Sequence, residues 1–115
     1  MSVSFYGTEN AVLTFEADTV TAGWPVSLSA NNKVQNAPAA AAPMGVALNL
    51  RSGHAAVQFH GFVELNYSGT ATKLGWNSLV ADGTGGMRLA GAGETGREML
   101  VVNVNPTDKV AGLFL

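Results

Sequence analysis

HAAVQFHGFVELNY (54–67) decides the fold class. Val57, Phe59, Val63, Leu65 and Tyr67 share one parity, with Gly61 among them, and His54, Gln58, His60, Glu64 and Asn66 share the other. A period of two is the signature of a strand buried on one face only. The spacing predicts one long β-strand, and Gly61 predicts a bulge or a bend where two backbones come close. Phe62 interrupts the polar face and so marks a contact surface.

The same alternation recurs on both sides. It is present in NAVLTFEA (10–17), in Trp24-Val26-Leu28, in Val46-Leu48-Leu50, in Leu100-Val102-Val104 and in the closing KVAGLFL (109–115). Between these runs stand turn-forming pairs: Asn31-Asn32, Ser52-Gly53, Ser68-Gly69, Asp82-Gly83, Gly85-Gly86 and Asn105-Pro106. No segment shows helical periodicity. The alanine run APAAAAP (37–43) is bracketed by Pro38 and Pro43. Its four consecutive alanines cannot offset the cost of nucleating a helix, and a residue before proline avoids the helical region, so it reads as an extended loop. Many short strands with turn chemistry between them predict an all-β fold, a small β-sandwich or barrel.

The two tryptophans of the chain each follow a glycine, at Gly23-Trp24 and Gly75-Trp76, 52 positions apart. From each pair the chain runs strand, turn, strand, loop, strand, turn, strand. This order predicts two similar four-strand halves, a pseudo-repeat of 20–65 and 72–115, whose apolar faces bury each other with both tryptophans in equivalent core places. Residues 1–18 fall outside the repeat and read as an extended N-terminal arm ahead of a single β domain, 19–115. SVSFYGTENAVLTFEA (2–17) brings Phe5, Tyr6 and Phe15, residues suited to pairing with a neighbour by strand addition. With His60 and Phe62 they form the candidate interface set.

Composition narrows the function classes. The chain has 115 residues, a length that reads as one domain, and charged residues make up only 12 %, about half the usual share. Such a surface is either neutral and rich in Ser, Thr and Asn or partly covered by another protein. The net charge of −2 and the lack of a basic run exclude a nucleic-acid partner. There is no cysteine, hence no disulfide or thiolate metal site. No apolar stretch approaches the roughly 20 residues of a membrane-spanning helix. MSVSFYGTEN lacks a secretory pattern, so the expectation is a protein made in a cytoplasm.

Chemistry is sparse. GAGETG (91–96) matches the glycine spacing of a dinucleotide fingerprint, but strand-like REMLVVNV follows where that fingerprint needs a helix. His54 and His60 lie roughly 20 Å apart along an extended strand, too far for one metal ion. Carboxylates are scattered singly at turns, with no pair placed for acid–base work. The reading is therefore no enzyme, no cofactor and no metal. Trp24, Trp76 and Tyr67 leave one alternative open: a small ligand- or carbohydrate-binding β-barrel with an aromatic-lined pocket.

Gly-Trp-Pro-Val (23–26), Met-Gly-Val-Ala-Leu (44–48), the glycine–valine spacing of Gly53, Val57, Gly61 and Val63, and a weaker second copy resemble the small head decoration, or capsid cement, proteins of tailed bacteriophages. The resemblance spans about residues 20 to 115, and the second copy departs from it where Arg97-Glu98 replaces an expected glycine. It implies a β-rich structural virion protein on the capsid exterior. The implied partners are the major capsid protein and further copies of itself, with a trimer favoured.

Overall fold

The computed structural model describes residues 11–69 and 73–115. Among them there are ten strands and no helix: β1 (Ala11–Ala17), β2 (Pro25–Ala30), β3 (Lys33–Asn36), β4 (Gly45–Ala47), β5 (His54–His60), β6 (Phe62–Asn66), β7 (Gly75–Ala81), β8 (Met87–Leu89), β9 (Arg97–Asn105) and β10 (Val110–Phe114). Among the described residues no helix is long and apolar enough to cross a membrane. The all-β expectation holds.

The strands form two sheets of five, a closed barrel β1-β3-β2-β4-β5 and a sheet β6-β10-β9-β7-β8. The repeat is visible in the pairings. β2 lies antiparallel between β3 and β4, and β4 pairs β5. In the second unit β7 lies between β8 and β9, and β9 pairs β10. Each unit has one strand more than the sequence pattern indicated. β1 adds antiparallel to β5, and β6 adds in the same way to β10. The end of β1 closes the first barrel by a parallel pairing with β3, Glu16 to Lys33 and Ala17 to Val34. The second sheet brings its edges together by a single parallel bridge, Tyr67 to Met87, with the Ser68 N–H donating to the Met87 carbonyl at 2.8 Å.

Three expectations are corrected. The N-terminal arm does not extend to residue 18: residues 11–17 are β1, a wall of the first barrel, because their alternating pattern matches the free edge of β5. The stretch 54–67 is not one strand. It turns a corner at Gly61, whose φ of +108° suits glycine, and passes from the first sheet to the second. The Gln58 side-chain amide holds this corner, donating to the carbonyls of His60 (3.2 Å) and Phe62 (3.1 Å). Finally, the halves do not share one sandwich core, although Val46 of β4 packs into the core of the second unit. Ala17, Val20, Val26, Val34, Ala47, Ala55 and Val57 fill the first barrel. Larger side chains, including Leu65, Tyr67, Leu79, Met87, Met99 and Leu113, fill the second unit. A sheet rolled on itself meets its own inner face before another sheet can cover it.

Turn chemistry explains the connections. Ser52 and Gly53 both have positive φ (51° and 76°), and Arg51 and His54 exchange two backbone hydrogen bonds. This is the tight hairpin that matches strand twist. Asn105 caps the β9–β10 turn, its Oδ1 accepting from the N–H groups of Thr107 and Asp108 at 3.1 Å. The alanine loop is not extended throughout, contrary to the expectation from its prolines: it makes a β-turn in which the Ala41 N–H donates to the Pro38 carbonyl at 3.1 Å and Ala40 takes a φ of +69°, and it joins the units. Ala40 N–H donates to the Ala81 carbonyl and Ala81 N–H to the Ala41 carbonyl, each at 2.9 Å.

Candidate interaction surface

Residues directly opposite on neighbouring strands share a face. In the second unit Trp76 is opposite Leu100, Leu100 is opposite Phe114, and Phe114 is opposite Phe62. The adjacent residues Val101, Leu113 and Val63 point into the second core. The row Trp76–Leu100–Phe114–Phe62 therefore points outward across β7, β9, β10 and β6, a span of about 14 Å at the usual strand spacing. Trp76 is 70 % exposed and Leu74 beside it 70 %. The other three are half-buried, and the rings of Phe62 and Phe114 meet edge to face at 5.4 Å.

The first unit lacks such a row. Matching the units by their pairings sets Val34 on Met87, Leu28 on Ala81 and Val26 on Leu79, and Gly45 on Arg97. Leu48 then corresponds to Leu100, and its β5 partner Ala56 and β1 partner Thr14 correspond to Phe114 and Phe62. Where the second unit carries two phenylalanines, the first carries an alanine and a threonine.

The same matching places Trp24 on Asn77, one residue from Trp76. A slip of one reverses the face a side chain takes. The tryptophans are thus not equivalent, and Trp76 is not buried, contrary to the repeat-based expectation. Trp24 is half-buried, its indole lying against Gly85. Asn77, inward and buried, donates through Nδ2 to the carbonyls of Lys73 (2.7 Å) and Gly75 (2.9 Å).

The five candidate interface residues separate. Phe62 lies on the outward row. His60 is exposed at the end of β5. Phe15 packs against the core of the first barrel, so its apolar surface is already used within the fold. Phe5 and Tyr6 lie outside the described residues. Trp76 and Leu100 escaped the sequence reading because Trp76 was assigned to the core and Leu100 to a strand's apolar face, and Phe114 because it was read only as part of the last strand. Cross-strand register was the missing signal.

On the strands that carry the row the exposed charges are acidic, while Lys73, exposed three residues before Trp76, lies at the row's other end. Glu98 is opposite Ser78, two residues from Leu100, and Glu64 is opposite Gly112, two residues from Phe62. Both acids are exposed on the face that carries the row. Arg97, the base in β9, points the other way and donates to the carbonyls of Met44 (2.5 Å) and Phe59 (3.1 Å) in the first unit. Burial pushes its guanidinium pKa down. This residue occupies the place where the family resemblance expected a glycine, and it fastens the two units together.

The remaining polar clusters are structural. Arg88 clamps Glu94 through two hydrogen bonds of 2.7 and 2.6 Å, and the Gly91 N–H donates to the same carboxylate. The Arg88 hydrogen bonds, with that N–H, hold the Glu94 carboxyl down at about 2. GAGETG is thus a pinned turn that leads into strand β9. Asp82 accepts hydrogen bonds from Ser68, from Thr84 and from the Gly86 N–H. Burial opposes its charge, but these bonds outweigh it and keep the carboxyl below its ordinary range. Among the described residues no group of three or more His, Asp or Glu side chains could hold a metal ion.

The alternative pocket does not assemble from the residues proposed for it. Trp24 lines an open depression with Glu64, Asn66, Thr84 and Val110, Tyr67 is buried in the second core, and Trp76 faces solvent on the outward row. No protein-family model matches the sequence, and no curated protein matches it.

Proposed function

We propose that this chain is a structural virion protein that binds the outer surface of a tailed-phage capsid and stabilises its lattice. The observation that carries the reading is the exposed end of the outward row, where Trp76 and neighbouring Leu74 are each 70 % exposed. A large aromatic side chain held in water costs free energy that a partner surface recovers, about 1.5–3 kcal/mol for one fully covered. The apolar side chains of both units are packed into cores, Val46 of the first unit joining the core of the second, and on this reading the outside carries the function. The family resemblance and the scarcity of charge support the same reading. On it, the partners are the major capsid protein and other copies of the chain, with a trimer favoured, and the protein is made in the host cytoplasm and ends on the capsid exterior.

The test is reconstitution. Purified protein is mixed with undecorated expanded capsids, the capsids are pelleted, and their melting is followed by calorimetry. A ligand that binds only the assembled state adds about 2.7 kcal/mol per site at 100-fold excess over Kd, so co-pelleting and a raised melting temperature are expected. No co-pelleting and unchanged melting overturn the proposal.

A further inference from the structure

Going beyond that reading, we infer that the depression between the two units is a binding site for a small neutral polyhydroxylated ligand, in class a saccharide unit. Trp24, on the approach to β2, forms one wall. Glu64 and Asn66 of β6, Thr84 and Gly85 of the β7–β8 turn, and Val110 of β10 complete a hollow of about 390 Å³. That volume is at the small end of ligand pockets, and junctions between packed units are where such pockets form. Tyr67 and Trp76 take no part, so this is not the aromatic box read from the sequence. The indole is set in advance. The Gly85 backbone lies directly against it, where an added Cβ would stand 2.6 Å from Cε2, and a wall already in place costs little to order on binding.

The hydrogen-bonding groups select the ligand. The Tyr67 N–H donates to the Lys109 carbonyl and the Leu115 N–H to the Gly61 carbonyl. Odd-numbered residues of β6 therefore bond to β10, and even-numbered ones turn their backbone groups to its free side. Among the described residues the Trp24 indole N–H, the Glu64 carboxylate and the Asn66 amide have no hydrogen-bond partner. The Thr84 hydroxyl donates to Asp82 at 3.0 Å, which leaves its oxygen to accept. Donors and acceptors thus meet in one hollow, and hydroxyl groups, which both donate and accept, suit them together. A cation would use the acceptors and leave the donors bare. An extended peptide needs a run of open backbone, and here the run is one residue long. The Phe62 carbonyl is taken by Gln58, and the Asn66 carbonyl stands against Gly86, where a Cβ would come within 2.6 Å. Charge does not decide. Glu64 lines the hollow, Asp82 behind Thr84 is held by Ser68, Thr84 and Gly86, and Asp108 and Lys109 offset each other, exposed in the turn before Val110.

The probes are methyl glycosides of the common hexoses and N-acetylhexosamines, added to the full ¹⁵N-labelled chain and followed by NMR. At least one is expected to shift the Trp24 indole N–H and the Glu64 amide signals saturably, with a Kd of about 1 mM. Glu64→Ala and Asn66→Ala change exposed side chains and should keep the fold. Each should weaken binding about tenfold, the usual effect of a lost hydrogen bond. Glu98→Ala, outside the hollow, should leave it unchanged. The absence of a saturable shift with every glycoside overturns the inference, as does binding that survives both β6 substitutions. So does a response at these signals to tetramethylammonium or to a capped Val-Thr-Val peptide in place of the glycosides, since a cation or a peptide would then be the occupant. No capsid enters the measurement, so its result is independent of the decoration reading.

Discussion

Replacing Gly85 by alanine imposes two separate costs, and a double-mutant cycle can tell them apart. Gly85 has φ +98°, a conformation L side chains rarely adopt, and forcing alanine into it costs roughly 1–2 kcal/mol. An added Cβ would also stand 2.6 Å from Cε2 and 2.7 Å from Nε1 of Trp24. A rigid bicyclic ring cannot swing aside as a flexible chain end would, so overpacking adds about 1–3 kcal/mol. Gly85→Ala should therefore cost about 2–5 kcal/mol in the wild-type background. In a Trp24→Ala background the ring is gone and only the backbone cost of about 1–2 kcal/mol remains, leaving a coupling of about 1–3 kcal/mol between the sites. Urea unfolding followed by far-ultraviolet circular dichroism measures all four chains, with unchanged m-values as the condition for comparison. Trp76→Ala is the control: its ring lies on the outward row, so it should add to Gly85→Ala without coupling. Equal cost of Gly85→Ala with and without Trp24 would refute the packing argument. Near-zero cost in both would refute the backbone argument as well.

Arg97→Met should destabilise the protein by about 1–3 kcal/mol, because the carbonyls of Met44 and Phe59 lose a charged donor. Lysine should rescue little, since a single ammonium cannot fork to both, and urea midpoints of the three chains decide this. Gly45→Ala should cost about 1–3 kcal/mol by the same measurement, since its Cβ would overlap the Gln58 carbonyl oxygen on the next strand. The Glu94 carboxyl is held at about 2 against an ordinary 4.5, so its contribution is fully present above about pH 4.5 and disappears as pH falls toward 2. Asp82, also depressed, acts in the same direction. The thermal midpoint should thus be flat near neutrality and fall below about pH 4.5, and Glu94→Gln should make that fall shallower.

Period two in the sequence was enough for strands, and paired turn residues were enough for hairpins, because both are local. Ser52-Gly53 is a tight hairpin in the structure for the reason its composition suggested. The order of strands within each half was also legible, since β2 to β5 and β7 to β10 follow the same antiparallel path. What could not be read was closure. Nothing local to Ala17 and Val34 announces that they pair in parallel, and without that pairing β1 looks like an arm. Phe15 then looks like a contact residue, although it packs on the first core. The tryptophans misled for a related reason. Gly-Trp at equal spacing invites superposition, but the strand pairings place Trp24 one residue out of step with Trp76, and one residue in a strand is the difference between core and solvent.

A duplicated fold carries its own control. Any feature the architecture demands should be present in both units, and so it is with the strand order and the filled interiors. Gly45 and Arg97, at matched places, show how far the copies have diverged to meet each other. Gly45 leaves no room for a side chain beside the Gln58 carbonyl, and Arg97 reaches across to the backbone of the first unit. Those differences are explained by the joint between the units. The contrast of Phe62 and Phe114 with Thr14 and Ala56 lies on the outward side of the second unit, where the two rings meet edge to face at 5.4 Å and shield each other. Trp76 at the other end of the row and Leu74 beside it are each 70 % exposed, so the apolar surface still open to water is at that end, and covering it recovers free energy that the fold itself leaves unused.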